Sequence, residues 1–252
     1  MEPWQTSTVK VIEKTTETLV HTNNQLIDMT VLPGISVKFI DAIKTQLRKL
    51  PEKWLEKFRE NNYSVILAPS IAQACAKKGI RVDKTLLADE LMKPQEYLGN
   101  FVPKQKTFIF CEKNGSVPIQ EVVNQELCKP VIKMEDLLFK DGYNSAILDD
   151  LDNLARNKPD DLTANFAKKV FGDLHNNETK GLYERRTAIL ERTMAAQMEY
   201  DGPHGKTTVS AEKNILEKLF PSTCNRVRKF LAEQKTAEVI NAPAAEELLK
   251  AV

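Results

Sequence analysis

Apolar residues recur along this chain with two different periods, and the change of period divides it. Over 36–50, Val37, Ile40, Ile43 and Leu47 fall at three- and four-residue steps, which is one face of a helix. Ser36 stands where an N-cap is needed. Pro51 opens a second short helix carrying Trp54, Leu55 and Phe58. The run from Tyr63 through Ala68, closed by Pro69, predicts a buried strand, because strand-forming residues follow one another without polar alternation. Ser70 caps the next helix, and Lys77-Lys78-Gly79 ends it with a basic last turn and a glycine. Residues 81–106 are mixed, and 107–111 predicts a second strand. Beyond Gly115 the pattern is almost wholly helical, over 118–128, 134–157, 160–174, 178–199, 210–219 and 222–233. The separators include Pro130, Asp141-Gly142, Lys158-Pro159 and Gly202-Pro203-His204-Gly205.

These elements predict an α+β, mostly helical domain over 32–235, with a small N-terminal α/β layer and a helical C-terminal half. A polar, Thr-rich arm, 1–31, precedes it, with alternation at 8–12 suggesting a short strand, and a tail, 236–252, follows. Composition narrows the function classes. A formal net charge of +1 over 252 residues gives no basic field for a nucleic acid backbone, which argues against DNA or RNA as the main partner. The four cysteines form no C-x-x-C pair, so they read as reduced thiols and not as a zinc ribbon or disulfide frame. No apolar run is long enough to span a bilayer. The N-terminus lacks the basic and apolar regions of a cleavable signal. The expected location is therefore the cytoplasm, or export without a cleavable signal, unless a signal has already been removed.

The stretch QEVVNQELCKP, 120–130, raises the one question of chemistry. On a helix, Asn124 and Cys128 share a face, and the spacing is that of a His-Glu-x-x-His zinc peptidase motif. The residues present do not supply that chemistry. Asn124 offers an amide oxygen in place of an imidazole, Gln125 cannot take a proton at neutral pH, and one thiolate at Cys128 is not a zinc site. The plain alternative is an amphipathic helix with Val123 and Leu127 facing a core.

In order and in local sequence the chain resembles the anthrax lethal factor-like metallopeptidase domain. The stretches that carry the resemblance are LPGISVKFIDAIKTQLRKLP, NNYSVILAP, YLGNFVPKQKTFIF, QEVVNQELCKP and SAEKNILEKLFPSTCNRVRKFL, spanning roughly 33–233. The resemblance implies a zincin-like fold in which 107–111 is an edge strand and 118–128 is the motif helix. It places Asn124 and Cys128 at the two zinc-ligand positions, Gln125 at the catalytic glutamate, Glu212 at the third ligand and Tyr200 at an assisting tyrosine. Side by side, the helices of 118–128 and 210–219 would bring Asn124, Cys128 and Glu212 together. Only Glu212 and Tyr200 keep suitable chemistry. The resemblance thereby implies a pseudopeptidase that needs no cofactor and works by binding a protein partner.

Two alternatives stand beside it. One is an active zinc metallopeptidase with an atypical site built from Cys128, Glu212 and His204, the histidine of a Gly/Pro loop just ahead of Glu212. The other is a helical interaction protein with no ancestral active site. Of the remaining histidines, His21 lies in the polar arm and His175 follows a helix end, where a cation suits the dipole. The acidic run at Asp149, Asp150 and Asp152 lacks the glycine and terminal glutamate of a calcium loop and reads as a solvated helix face.

Overall fold

The structure, a computed structural model, describes residues 18–19, 27–93, 98–113, 117–140, 142–171, 181–201 and 207–234. Its frame is a mixed sheet built from β1 (Thr18–Leu19), β2 (Asp28–Val31), β3 (Ser64–Ala68), β4 (Gly99–Val102) and β5 (Thr107–Cys111), in the order β1-β2-β3-β5-β4. The β2, β3 and β5 strands are parallel, with Met29 opposite Val65 and Val65 opposite Phe108. The β1 and β4 strands run antiparallel at the two edges. Parallel neighbours need crossovers, and α1 (Val37–Arg48) with α2 (Glu52–Glu60) supplies the first of them. The second runs through α3 (Ile71–Lys78), α4 (Lys84–Met92) and the edge strand β4.

Successive side chains on a strand point to opposite faces, so an unbroken apolar run must be covered on both. Val65 and Leu67 join Phe108 and Phe110 in the larger core, under α1, α2 and the helical half. Ile66, Ala68, Ile109 and Cys111 form a smaller core under α3. The larger one includes a ring cluster of Phe58, Tyr63, Phe101 and Phe108, with centroids 4.9 to 5.9 Å apart. The cap signals act as expected: Ser36 accepts from the Phe39 N–H at 3.2 Å, and Gly79 ends α3 at φ +64°.

The helical half comprises α5 (Ile119–Met134), α6 (Tyr143–Arg156), α7 (Asp161–Phe171), α8 (Leu182–Gln197), α9 (Lys213–Leu219) and α10 (221–234). Between α8 and α9 lies a two-stranded ribbon, β6 (Tyr200–Asp201) with β7 (Thr207–Thr208). Among the described residues no helix is long and apolar enough to cross a membrane.

Several expectations are corrected. The 107–111 strand is interior, not an edge; the edge is Gly99–Val102. The sheet takes in Asp28–Val31, which the polar reading assigned to the arm; Met29 and Val31 are buried. The suggested strand at 8–12, His21, His175, His204 and the tail lie outside the described residues. The α5 helix runs on through Pro130, because Val131 and Ile132 continue into the core and outweigh the lost backbone N–H. Asp150 is not on a solvated face but fully buried, accepting from the Ser222 N–H at 3.0 Å and the Thr223 N–H at 2.8 Å. Phe220 occupies the N-cap position of α10, with its carbonyl accepting from Cys224, and has no side-chain acceptor of its own. A carboxylate from α6 does that work across 72 residues.

The edge strand positions the candidate helix. A Cβ on Gly99 would come within 2.7 Å of Val122 Cγ1 and 3.1 Å of Phe110, so only glycine lets β4 lie this close to α5.

Candidate functional site

Residues 124–128 sit mid-way along α5, which packs against α8, α1 and β4. Nearly every residue from Glu121 to Val131 is buried or partly buried, so each polar group there needs a partner inside the protein. Asn124 is fully buried. Its Oδ1 accepts from Gln46 Nε2 of α1 at 2.6 Å, and the same Nε2 donates to the Glu199 carbonyl at 3.0 Å. Asn124 Nδ2 lies 3.4 Å from the Met198 carbonyl and 3.5 Å from that of Glu199. Residues 198 and 199 follow the end of α8, where carbonyls have run out of helical partners. The two amides thus bind the loose end of α8 to α5 and α1. Gln46 Oε1 finds no partner among the described residues.

One turn on, Cys128 is fully buried, with Sγ 3.4 Å from Met198 Sδ. Burial pushes its thiol well above the ordinary range, and the negative charges of Glu191 and Glu126 push it the same way. Zinc wants a thiolate, and this environment keeps the proton on. The amide oxygen at Asn124 is already engaged, and among the described residues no imidazole stands on this face. These donors do not fit a zinc ion. Among the described residues no group of three or more His, Cys, Asp or Glu is arranged to hold a metal.

Gln125 turns away from this face. It lines a cleft of about 230 Å³ with Glu126, Lys129, Glu191 and Arg192. Glu126 accepts from the Phe101 N–H of the edge strand at 2.7 Å and from Lys129 at 2.6 Å. Burial raises the Glu191 carboxyl, with Lys129 and Arg192 opposing and Glu126 assisting the rise. Arg192 reaches the Glu212 carboxylate at 3.1 Å.

Glu212 is therefore held by α8, which packs against both α5 and α9, and its carboxylate is spent on Arg192 instead of turning to Asn124 or Cys128. Its backbone N–H donates to Ser210 Oγ at 3.1 Å, and Ser210 Oγ donates to Glu121 Oε1 at 2.5 Å. Tyr200 belongs to the same group. Burial raises its phenol, and the charge of Glu121 and its hydrogen bond with that carboxylate raise it further. Asn124, Tyr200 and the backbone of Glu212 thus collect on one side of α5, while Gln125 and the Glu212 carboxylate meet Arg192 on another.

Sequence reasoning missed the roles of Gln46, Glu121 and Ser210; Glu191 and Arg192, which read from sequence as a surface ion pair, line the cleft instead, with Arg192 paired to Glu212. For the Glu121–Ser210 pair, 89 residues apart, no local signal exists. For Glu121 and Asn124 one did: polar residues at a three-residue step within Val122, Val123, Leu127 and Cys128 lie inside a helix with little exposed face. No protein-family model matches the chain, and no curated protein or solved structure matches it.

Proposed function

We propose that this protein is a catalytically silent zincin-like domain, a degenerate copy of the anthrax lethal factor-like peptidase fold, that acts by binding a protein partner. The observation that carries the reading is the burial of Asn124 in an amide bridge to Gln46 and the carbonyls of Met198 and Glu199. The position that resembles a first zinc ligand serves as a structural clasp. A base is missing as well, since Gln125 takes up no proton. The element order supports the ancestry: α1, β3 and α3, a glycine-led edge strand, then α5 lying against that edge. Tyr200 beside α5 supports it too.

Partner binding is supported by an exposed aromatic pair. Phe139 and Tyr183 stack with centroids 6.1 Å apart and are 69% and 56% exposed. Exposed stacked rings are the kind of surface that protein partners cover. The Glu212–Arg192 ion pair favours a second reading, a helical interaction protein that never had a site, because it holds the acidic group away from Asn124 and Cys128.

The test is a cleavage assay of the purified chain against a peptide library with zinc added. The reading expects no cleavage above that of a heat-unfolded control. Cleavage that disappears in Glu212→Gln or Cys128→Ser would overturn it in favour of an atypical enzyme.

A further inference from the structure

A pocket of about 370 Å³ opens between α2, the C-terminal end of α5, the start of α6, and α10. Among the described residues, four cationic side chains line it, Lys53, Lys140, Arg226 and Lys229, against two carboxylates, Glu135 and Glu233. The imbalance is sharper than the count. Glu135 is buried and already holds Lys57 at 2.6 Å and Lys140 at 3.3 Å, with Lys53 at 4.0 Å. Burial alone would raise its carboxyl, yet the hydrogen bond from Lys57 and the nearby lysine charges hold it below the usual carboxylate range. One negative charge thus faces three lysines. Arg226 and Lys229 have no carboxylate within ion-pairing distance among the described residues.

Arg226 is also seated. A Cβ placed on Gly142 would collide with Nη2 and Cζ of Arg226 and fall 2.8 Å from its Nε, so the guanidinium lies directly on the Gly142 backbone. Gly142 is the N-cap of α6, at φ +90°, and brings no side chain to the first-turn N–H groups. A guanidinium laid at the positive end of a 14-residue helix, with lysines around it, is a like-charge arrangement. Its natural complement is an anion.

From this geometry we infer that the pocket between α2, α6 and α10 is a binding site for the phosphate group of a small, soluble phosphate-bearing molecule. A guanidinium gives two parallel N–H donors to a phosphate, and flanking ammonium groups add point charges. The rings at the pocket, Tyr143 and Phe230, are 7% and 6% exposed, so neither offers a face on which a nucleic acid base would stack. The concave shape suits a small ligand better than a flat lipid surface. This inference does not depend on the pseudopeptidase reading, since no residue of the pocket belongs to the 124–128 region.

The experiment titrates inorganic phosphate into the full chain by calorimetry, at constant ionic strength of about 0.15 M set with potassium chloride. The variants Arg226→Gln, Lys229→Gln and, as control, Lys168→Gln on the exposed face of α7 are run alongside, with thermal melts to verify folding. Saturable binding by the wild type is expected, weakened about tenfold by each pocket substitution and unchanged by the control. No saturable binding overturns the inference. Binding that survives both pocket substitutions, or that Lys168→Gln weakens equally, overturns it too, since the anion would then sit elsewhere or respond to net charge. A final arm uses phosphatidylcholine vesicles with and without phosphatidate. Retention on phosphatidate vesicles without binding of free phosphate would replace the small-molecule site with a membrane-facing one.

Discussion

The two faces of α5 began from the same five letters and ended as opposites. The face carrying Asn124 and Cys128 is closed, with both side chains fully buried and spent on Gln46, Met198 and the carbonyl of Glu199. The face carrying Gln125 and Lys129 is open to a cleft and still charged, with Glu126, Glu191 and Arg192 around it. A metal site is the reverse arrangement, with ligands facing an accessible hollow and the supporting groups behind them. Motif spacing fixes which residues share a face, but packing decides what that face is for.

The sharpest way to break this contrast is at Asn124. Asn124→Ala removes the acceptor for Gln46 Nε2 and the donor to two carbonyls, so a loss of about 2–3 kcal/mol in urea unfolding is expected. Asn124→Asp is expected to cost more, because it turns a carboxylate oxygen toward the Met198 and Glu199 carbonyls. If either variant unfolds at the wild-type urea midpoint, the closed face is not a structural clasp.

Beside the open face stands Glu126, which ties α5 to the edge strand. Glu126→Gln weakens a charge-assisted bond to the Phe101 N–H and frees Lys129, for an expected loss of about 1–2 kcal/mol by the same measurement. A loss as large as that of Asn124→Ala would erase the distinction between the faces.

On the open face, Glu191 supplies a pH test. Its carboxyl is raised in the folded protein, chiefly by burial. The folded state therefore holds this proton more tightly than the unfolded chain does. The associated stability is fully present below the unfolded value of about 4.3 and is lost as pH rises through the folded value. Glu191→Gln cannot lose it, so its melting temperature should draw ahead of the wild type as pH rises from 4 toward neutrality. Parallel melting curves at all pH values would show that Glu191 is an ordinary solvated carboxylate. The smallest effect belongs to Gln125→Ala, within about 0.5 kcal/mol of wild type.

How much of this was legible depends on the range of the forces involved. Helix caps at Ser36 and Ser70 and the stop at Gly79 are local, and were readable from neighbouring residues. The 63–68 and 107–111 strands were readable because double-sided burial leaves an unbroken apolar run. The β2 segment, Asp-Met-Thr-Val, is too short and too polar at one end to stand out, and only pairing with β3 makes it a strand. The α4 segment went unread because Leu86, Leu87, Leu91 and Met92 spread around the helix, with Leu91 and Met92 exposed. Its Glu90 turns back to cap α3 at the Ile71 and Ala72 N–H groups, 2.8 and 2.9 Å away. Asp150 does the same for α10, and Glu121 receives Ser210. Each is a carboxylate whose partner is fixed by tertiary packing, which nothing in its own neighbourhood announces. The candidate site failed to read for the same reason: Asn124 belongs to Gln46, 78 residues away, and Glu212 to Arg192 on the preceding helix, α8.

The central claim, that the closed face is a clasp and not a ligand set, is tested most directly by metal analysis. The chain is expressed with zinc in the medium, dialysed against metal-free buffer and measured by plasma mass spectrometry beside Cys128→Ala. The account predicts much less than one equivalent of zinc in the wild type and no difference in the variant. One equivalent in the wild type, lost in Cys128→Ala, would contradict it.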